Sequence, residues 1–426
     1  MQRIAFISEH ASPLASLGGT DGGGQNVYVG KLAHELARLG YLVDIYTRRD
    51  DAGVAQIVQL RPGVRVIHVD TGPAHALPKE SLLAHMPQFA QSMANCIREA
   101  AQPYSLVHAN FFMSGVVAQE LKRRFGLPYV ITFHALGRVR RLSQGDADGF
   151  PDVRFALEEA LMQDADCVIA ECEQDRSDML TLYAAEPSRL AVVPCGFDPD
   201  EFWPVRGSAR DHLGLSERDF IVLQLGRMVP RKGVDNVLRA LRVLRDEHRI
   251  VAQLLVVGGE RGADPTATPE IRRLARLAHT LGIDDQVSFT GAQPRQRLRD
   301  YYSAADVFVT TPWYEPFGIT PLEAMACATP VVGSAVGGIL STVLDRQTGF
   351  LVPPKDPAAL AQRLAWLQRD PALAQRMGWS GLRRVHRHFT WGRVAMQVAS
   401  VYRSVLTRAP LIDACGTGGN DAIGIV

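Results

Sequence analysis

Short runs of aliphatic and β-branched residues recur along the chain, separated by longer stretches whose apolar positions return every three or four residues. That alternation predicts parallel sheets joined by crossover helices. In the first half, strands are expected at Ile4–Ser8, Tyr41–Thr47, Val64–Asp70, Leu106–Asn110, Tyr129–His134, Cys167–Cys172 and Leu190–Val193. Helical period marks Asn26–Leu39, Glu80–Ala101 and Asp152–Asp164 between them. The stretch from Pro194 to Gly207 (PCGFDPDEFWPVRG) breaks the pattern with three prolines and reads as a domain boundary. A second alternating set follows, with strands at Phe220–Leu225, Ala252–Val257, Val287–Thr290, Val307–Thr311, Pro330–Gly333 and Gly349–Val352. Three helices near Pro357–Arg369, Pro371–His388 and Trp391–Arg408 close the chain. The expected architecture is therefore α/β: two facing Rossmann-like domains, residues 1–200 and 201–390, with an interdomain cleft at the carboxyl ends of their strands. Residues 391–408 are expected to cross back to the first domain, and the tail 409–426 carries no helical period.

Composition narrows the class without changing that picture. With 426 residues, 46% hydrophobic and 21% charged, the chain fits a soluble globular protein and excludes disordered or collagen-like readings. Its 46 basic and 45 acidic residues give a formal net charge of +1, so no global field draws it to nucleic acid or anionic lipid. Only five of the basic residues are lysine (Lys31, Lys79, Lys122, Lys232, Lys355), which makes a lysine inside a motif conspicuous. The six cysteines are scattered without zinc-ligand spacing. No signal-like leader and no apolar run of membrane-spanning length is present, so a cytoplasmic protein with no integral membrane segment is expected. Oligomeric state is not legible.

Four stretches carry candidate chemistry. The first is Gly18-Gly19-Thr20-Asp21-Gly22-Gly23-Gly24, which feeds a helix beginning near Gln25-Asn26. Glycines let the backbone approach a ligand, and helix-start N–H groups favour an anion; the plain alternative is a flexible loop. It is neither a GxGxxG fingerprint opening from the strand nor a GxxxxGK[ST] loop, which weakens dehydrogenase and P-loop readings. The second, Gly226-Arg227-Met228-Val229-Pro230-Arg231-Lys232-Gly233, places Arg227 and Lys232 where both can converge on one phosphate, or form a solvated basic turn. The third, Glu315-Pro316-Phe317-Gly318-Ile319-Thr320-Pro321-Leu322-Glu323, sets two carboxylates across a strand-to-helix turn. Thr320 and Glu323 fit a capping box with Pro321 at the first helical position, and a sugar-binding reading competes evenly with it. The fourth gathers His134, Arg138, Arg140 and Arg141 after a buried strand, as a site for a second, phosphorylated or polyhydroxylated ligand. Two DxD matches, Asp146-Ala147-Asp148 and Asp164-Ala165-Asp166, lack supporting ligands, so no metal site is expected.

Together these stretches resemble the retaining glycosyltransferases of the GT-B fold, family 4, over nearly the whole chain to about Arg408. The opening HASPLASLGGTDGGGQNVYV is similar to the amino terminus of sucrose-phosphate synthases and of the inositol-phosphate GlcNAc transferases of mycothiol synthesis. GRMVPRKG resembles the family's diphosphate-binding segment, and EPFGITPLE its EX7E motif. TFHALGRVRR is closer to the sucrose-phosphate synthases.

The resemblance implies transfer of a hexosyl group, glucose in the first reading, from a nucleotide diphosphate sugar (UDP) to a small acceptor such as fructose 6-phosphate. Inositol phosphate, or a lipid or surface glycan, is the alternative acceptor. It implies catalytic roles for His134, Arg227, Lys232 and Glu315. Donor contacts would come from Gly23, Gly24, Arg227, Lys232, Glu315, Phe317, Gly318, Ile319 and Glu323, and acceptor contacts from Asn26, Lys79, Phe111, Arg138, Arg140, Arg141 and Arg154. The first domain would bind acceptor and the second donor, with no cofactor and no metal. The acceptor side departs from the family pattern. Asn110-Phe111 stands where His-Tyr is usual, removing a hydroxyl, and Ala135 stands where the mycothiol enzymes place Thr. A nicotinamide oxidoreductase and a non-catalytic sugar-nucleotide sensor are the competing classes.

Overall fold

A computed structural model describes residues 1–15, 23–259 and 268–407. The glycines before Gly23 and the tail from 408 lie outside the described residues. The first sheet contains β1 (Arg3–Ile7), β2 (Leu42–Arg48), β3 (Ile57–Arg61), β4 (Val64–Val69), β5 (Leu106–Asn110), β6 (Tyr129–Thr132), β7 (Cys167–Ala170) and β8 (Leu190–Val192). Its order is β3-β4-β2-β1-β5-β6-β7-β8, parallel except for the β3–β4 edge pair. The second sheet holds β9 (Ile221–Leu225), β10 (Gln253–Val257), β11 (Val287–Gly291), β12 (Val307–Thr310), β13 (Val331–Ser334) and β14 (Gly349–Val352). Its order is β11-β10-β9-β12-β13-β14, parallel throughout.

Central strands such as β1, β5 and β9 are buried on both faces, which is why they read as continuous apolar runs. β3 alternates exposed and half-buried positions. That weak edge pattern is why periodicity missed it, although Pro62-Gly63 marks its turn into β4. The expected helix Glu80–Ala101 divides into a 3₁₀ helix, Lys79–His85, and an α-helix, Met86–Arg98, with Pro87 in its first turn. Proline has no N–H to continue the earlier ladder and suits a helix start.

The expected capping box is also corrected. The helix begins at Ile319, not at Pro321, because Gly318 takes the cap position at φ 90° with no side-chain cap. Thr320 therefore sits inside the first turn, and the Glu323 carboxylate turns away from the helix start.

Helix Trp391–Thr407 packs along helix Gly24–Arg38 of the first domain. Tyr402 Oη lies 2.6 Å from His108 Nδ1 on β5, and Trp391 meets Tyr28 edge-on at 5.7 Å. Beside it, Phe197 N–H bonds the Phe389 carbonyl and Trp391 N–H bonds the Phe197 carbonyl, so the two chain crossings between the domains run together.

Candidate active site

The carboxyl ends of both sheets face one cleft, where open α/β sheets bind ligands. The expected strands Tyr129–His134 and Cys167–Cys172 end early, so that His134 falls after β6 and Glu171 after β7; both line the cleft, as do Phe111 after β5 and Arg227 after β9. At its centre, the start of helix Gly24–Arg38 meets the second domain. A Cβ on Gly23 would lie 3.6 Å from Arg227 Nε, and one on Gly24 would lie 3.6 Å from Ile319 Cδ1. Gly23 N–H donates to Asn26 Oδ1 at 2.9 Å, and Asn26 Nδ2 donates to the Ser12 carbonyl at 2.9 Å. Asn26 reaches the cleft edge but spends both ends of its amide on holding this helix start.

Opposite Gly23, Lys232 is ion-paired with Glu315. Burial lowers the Lys232 ammonium, with Glu315 offsetting only part of that. Burial works to raise the Glu315 carboxyl, but Lys232, Arg231 and Arg227 outweigh it and hold the group below its ordinary value. Three cations around one carboxylate leave an excess of positive charge facing the open start of a helix, a setting suited to a diphosphate. Arg231, overlooked in sequence, lies over the Tyr314 ring at 5.0 Å. Tyr314 Oη accepts from Gln144 Nε2 of the first domain at 3.2 Å.

The Glu315–Phe317 loop is seated on the following turn. Gly337 sits at φ 48°, and a Cβ there would come 1.9 Å from the Glu315 carbonyl, so only glycine fits. Gly338 N–H donates to that carbonyl at 3.0 Å. Phe317, Gly318 and Ile319 line the cleft beside Glu315. Glu323 is 2% exposed, accepts from Tyr302 Oη at 2.9 Å and pairs with Arg295 at 3.0 Å. Burial is the main reason its carboxyl is raised.

His134 turns the chain at φ 57°, a strained position of the kind concentrated at working sites. Its Nδ1 lies 3.0 Å from Glu171 Oε1 and its Nε2 3.1 Å from Asn110 Oδ1, with Tyr28 edge-on at 4.7 Å. Glu171 Oε1 also accepts from Cys195 Sγ at 3.1 Å. Neither Glu171 nor Cys195 carries a sequence motif; their only sign was a position just past a strand.

Beyond His134, Lys79, Phe111 and Arg140 line the far end of the cleft, with His10 edge-on to Phe111 at 5.0 Å. Arg140 pairs with buried Asp148 at 2.7 Å, so this Asp serves an arginine. Arg138, Arg141 and Arg154 do not join them. Arg138 pairs with Glu159 at 2.8 Å and lies over Tyr183, and Arg141 pairs with Asp152 at 2.8 Å. Arg154 is fully buried, paired with Glu158 at 2.6 Å and enclosed by Phe111, Phe112 and Phe150 at 4.9, 4.8 and 4.6 Å. Its remaining reach goes to the Ala135 carbonyl at 2.5 Å, beneath the His134 turn.

No group of three or more His, Cys, Asp or Glu suited to a metal occurs among the described residues. No helix among them is long and apolar enough to cross a membrane.

The chain matches the glycosyl transferases group 1 family over residues 205–384 and a glycosyl transferase 4-like domain over residues 23–196. A D-inositol 3-phosphate glycosyltransferase of Kineococcus radiotolerans is 38% identical over 419 residues, 95% of each chain. One from Xylanimonas cellulosilytica is 36% identical, over 96% of this chain and 98% of that one. Among solved structures, the sucrose-phosphate synthase of Thermosynechococcus elongatus superposes with a TM-score of 0.88 at 35% identity, over 96% of this chain and all of that one. HepE from Anabaena, in complex with UDP and glucose, shares the fold at a TM-score of 0.73 and 21% identity, over 95% of this chain and all of that one. With both halves matched in turn and the two parallel-sheet domains facing across one cleft, the chain belongs to the group 1 glycosyltransferases of the GT-B fold.

Proposed function

We propose that the protein transfers a hexosyl group, glucose in the first instance, from a UDP-sugar to a small phosphorylated acceptor, with retention at the anomeric carbon. The observation that carries this reading is the meeting of Gly23 with Arg227 beside the Lys232–Glu315 pair. The costly event in such a transfer is departure of the nucleoside diphosphate from an oxocarbenium-like centre. Arg227, Lys232 and the backbone N–H groups at the two helix starts, near Gly23 and Gly318, stabilise the charge that develops on the leaving phosphate. Metal is not needed for that step, so activity persists in EDTA. Glu315 holds the donor sugar's hydroxyls together with the N–H groups of Phe317 to Ile319. Glu323 accepts from the ribose diol. His134 contacts the sugar near its 6-position or the reacting oxygens. No protein nucleophile is invoked, because the leaving phosphate takes the acceptor proton on the same face.

The acceptor lies over Lys79, Phe111 and Arg140, whose two cations suit a phosphate. Fructose 6-phosphate is the preferred candidate. Phe111 and Ala135 lack hydroxyls, and Arg154 is spent on Glu158, which removes groups that would hold an inositol phosphate. The relatives' names support inositol phosphate as the second reading. A matrix of UDP-, ADP- and GDP-sugars against fructose 6-phosphate, inositol phosphate and simple sugars, read by mass spectrometry, decides between them. A product with fructose 6-phosphate alone supports the first reading; a product with inositol phosphate alone overturns it.

A further inference from the structure

A line of alternating charge runs from the first domain, through the linker, to the floor of the second. On helix Gly24–Arg38, Lys31 Nζ lies 2.6 Å from Asp198 Oδ2 and 2.5 Å from Glu201 Oε1. The other oxygen of Glu201 lies 2.7 Å from Arg295 Nε, and Arg295 pairs in turn with Glu323 at 3.0 Å. Glu201 thus spends one carboxylate oxygen on each domain. It sits just past the crossing at Phe197, where the two connections between domains are bonded to each other. Its side chain is 31% exposed and that of Arg295 19%, so solvent screens the pairs only in part.

The helix that carries Lys31 also begins at Gly23, where a Cβ would stand 3.6 Å from Arg227 Nε. Its start therefore faces Arg227 across a gap of one carbon, while Lys31, Glu201 and Arg295 tie it to the second domain two turns later. Neither Lys31 nor Glu201 lines the cleft, while Arg295 and Glu323 do.

We propose that Glu201 is a positioning residue: by bridging Lys31 and Arg295 it sets the helix start at Gly23 in register with the nucleoside side of the donor site at Glu323. The inference rests on the reading that Glu323 faces the donor's nucleoside. A UDP-sugar spanning Arg227 and Glu323 then touches both ends of one braced unit. Loosening the brace weakens donor binding from a distance, without removing a donor contact.

The test uses the full chain with Glu201→Gln, Lys31→Met, their combination and Lys31→Arg. UDP binding is followed by calorimetry, and donor and acceptor KM by steady-state kinetics. Glu201→Gln and Lys31→Met are each expected to weaken UDP binding and raise donor KM by about 3- to 10-fold, with acceptor KM within about twofold. The double variant is expected to lose less than the sum of the two single losses, since both remove the Lys31–Glu201 pair, and Lys31→Arg is expected to keep wild-type binding. Wild-type UDP affinity in Glu201→Gln and Lys31→Met, even with lower thermal stability, would show a purely structural bridge and overturn the proposal. Glu323→Gln separates the two readings. Unchanged UDP affinity there removes the nucleoside assignment and the proposal with it, whereas a loss confined to Glu323→Gln removes the relay alone.

Discussion

Arg227 faces Gly23 across the cleft with room for a single carbon between them: a Cβ on Gly23 would stand 3.6 Å from the Arg227 Nε, ordinary van der Waals distance. A methyl at Gly23 is tolerated sterically, and anything branched pushes Arg227 aside. Gly23→Ala is therefore expected to retain activity within about threefold, while Gly23→Val loses on the order of 10²-fold in kcat/KM for the donor. Steady-state kinetics on the pair checks this graded response; equal losses would place the contact outside the donor site.

The fates of Arg154, buried on Glu158, and Arg140, lining the cleft, separate by experiment. Arg154→Met leaves Glu158 buried without its partner and is expected to cost about 3–5 kcal/mol of stability, with Arg154→Met/Glu158→Gln recovering much of it. Arg140→Met is expected to raise KM for a phosphorylated acceptor about tenfold with little thermal change. Denaturant melts and acceptor KM values on these variants give the answer, and a selective acceptor defect in the stable Arg154 double variant would contradict the burial argument.

Asp175 lies under the His134–Glu171 pair and accepts the Glu171 N–H at 3.0 Å. Burial, reinforced by Glu171, pushes its carboxyl from 3.8 up to about 8. The folded state thus keeps a proton that the unfolded chain has released. The stability this supplies is complete below pH 3.8 and is lost as pH rises to about 8. Asp175→Asn keeps an acceptor for the N–H and removes the titration. It is expected to melt above wild type at pH 8, with the gap narrowing towards pH 5 at up to about 1.4 kcal/mol per pH unit. A constant gap across that range would place the proton elsewhere.

Tyr402 on the last described helix secures that helix to the first domain through His108, whose imidazole burial lowers to about 3 and keeps neutral. Tyr402→Phe deletes one buried hydrogen bond, and about 1 kcal/mol of stability is expected to go with it. Urea unfolding measures the loss.

Much of this site was legible because its chemistry is local in sequence. Arg227 and Lys232 share one turn after β9, and Glu315 and Glu323 share one strand-to-helix turn, so motif and geometry coincide. The fate of Arg154 was not legible, because it depends on Glu158 and on Phe111, Phe112 and Phe150, brought together only by packing. The same holds for Arg231 and Tyr314, which matter through Gln144 on the opposite domain. Periodicity placed every strand whose faces are both covered and missed β3, whose outer face is wet. The helix start at Ile319 escaped because the Thr320–Glu323 spacing imitates a capping box, while Gly318 supplies the bend two residues earlier.

The most direct test of the whole account is UDP release from UDP-glucose with fructose 6-phosphate, comparing the native chain with Lys232→Ala. Turnover is expected in the native chain, and a fall of roughly 10²–10³ in kcat in the variant, the size of losing one donor to a developing oxyanion. Wild-type turnover in Lys232→Ala would contradict the placement of the leaving diphosphate between Gly23, Arg227 and Lys232.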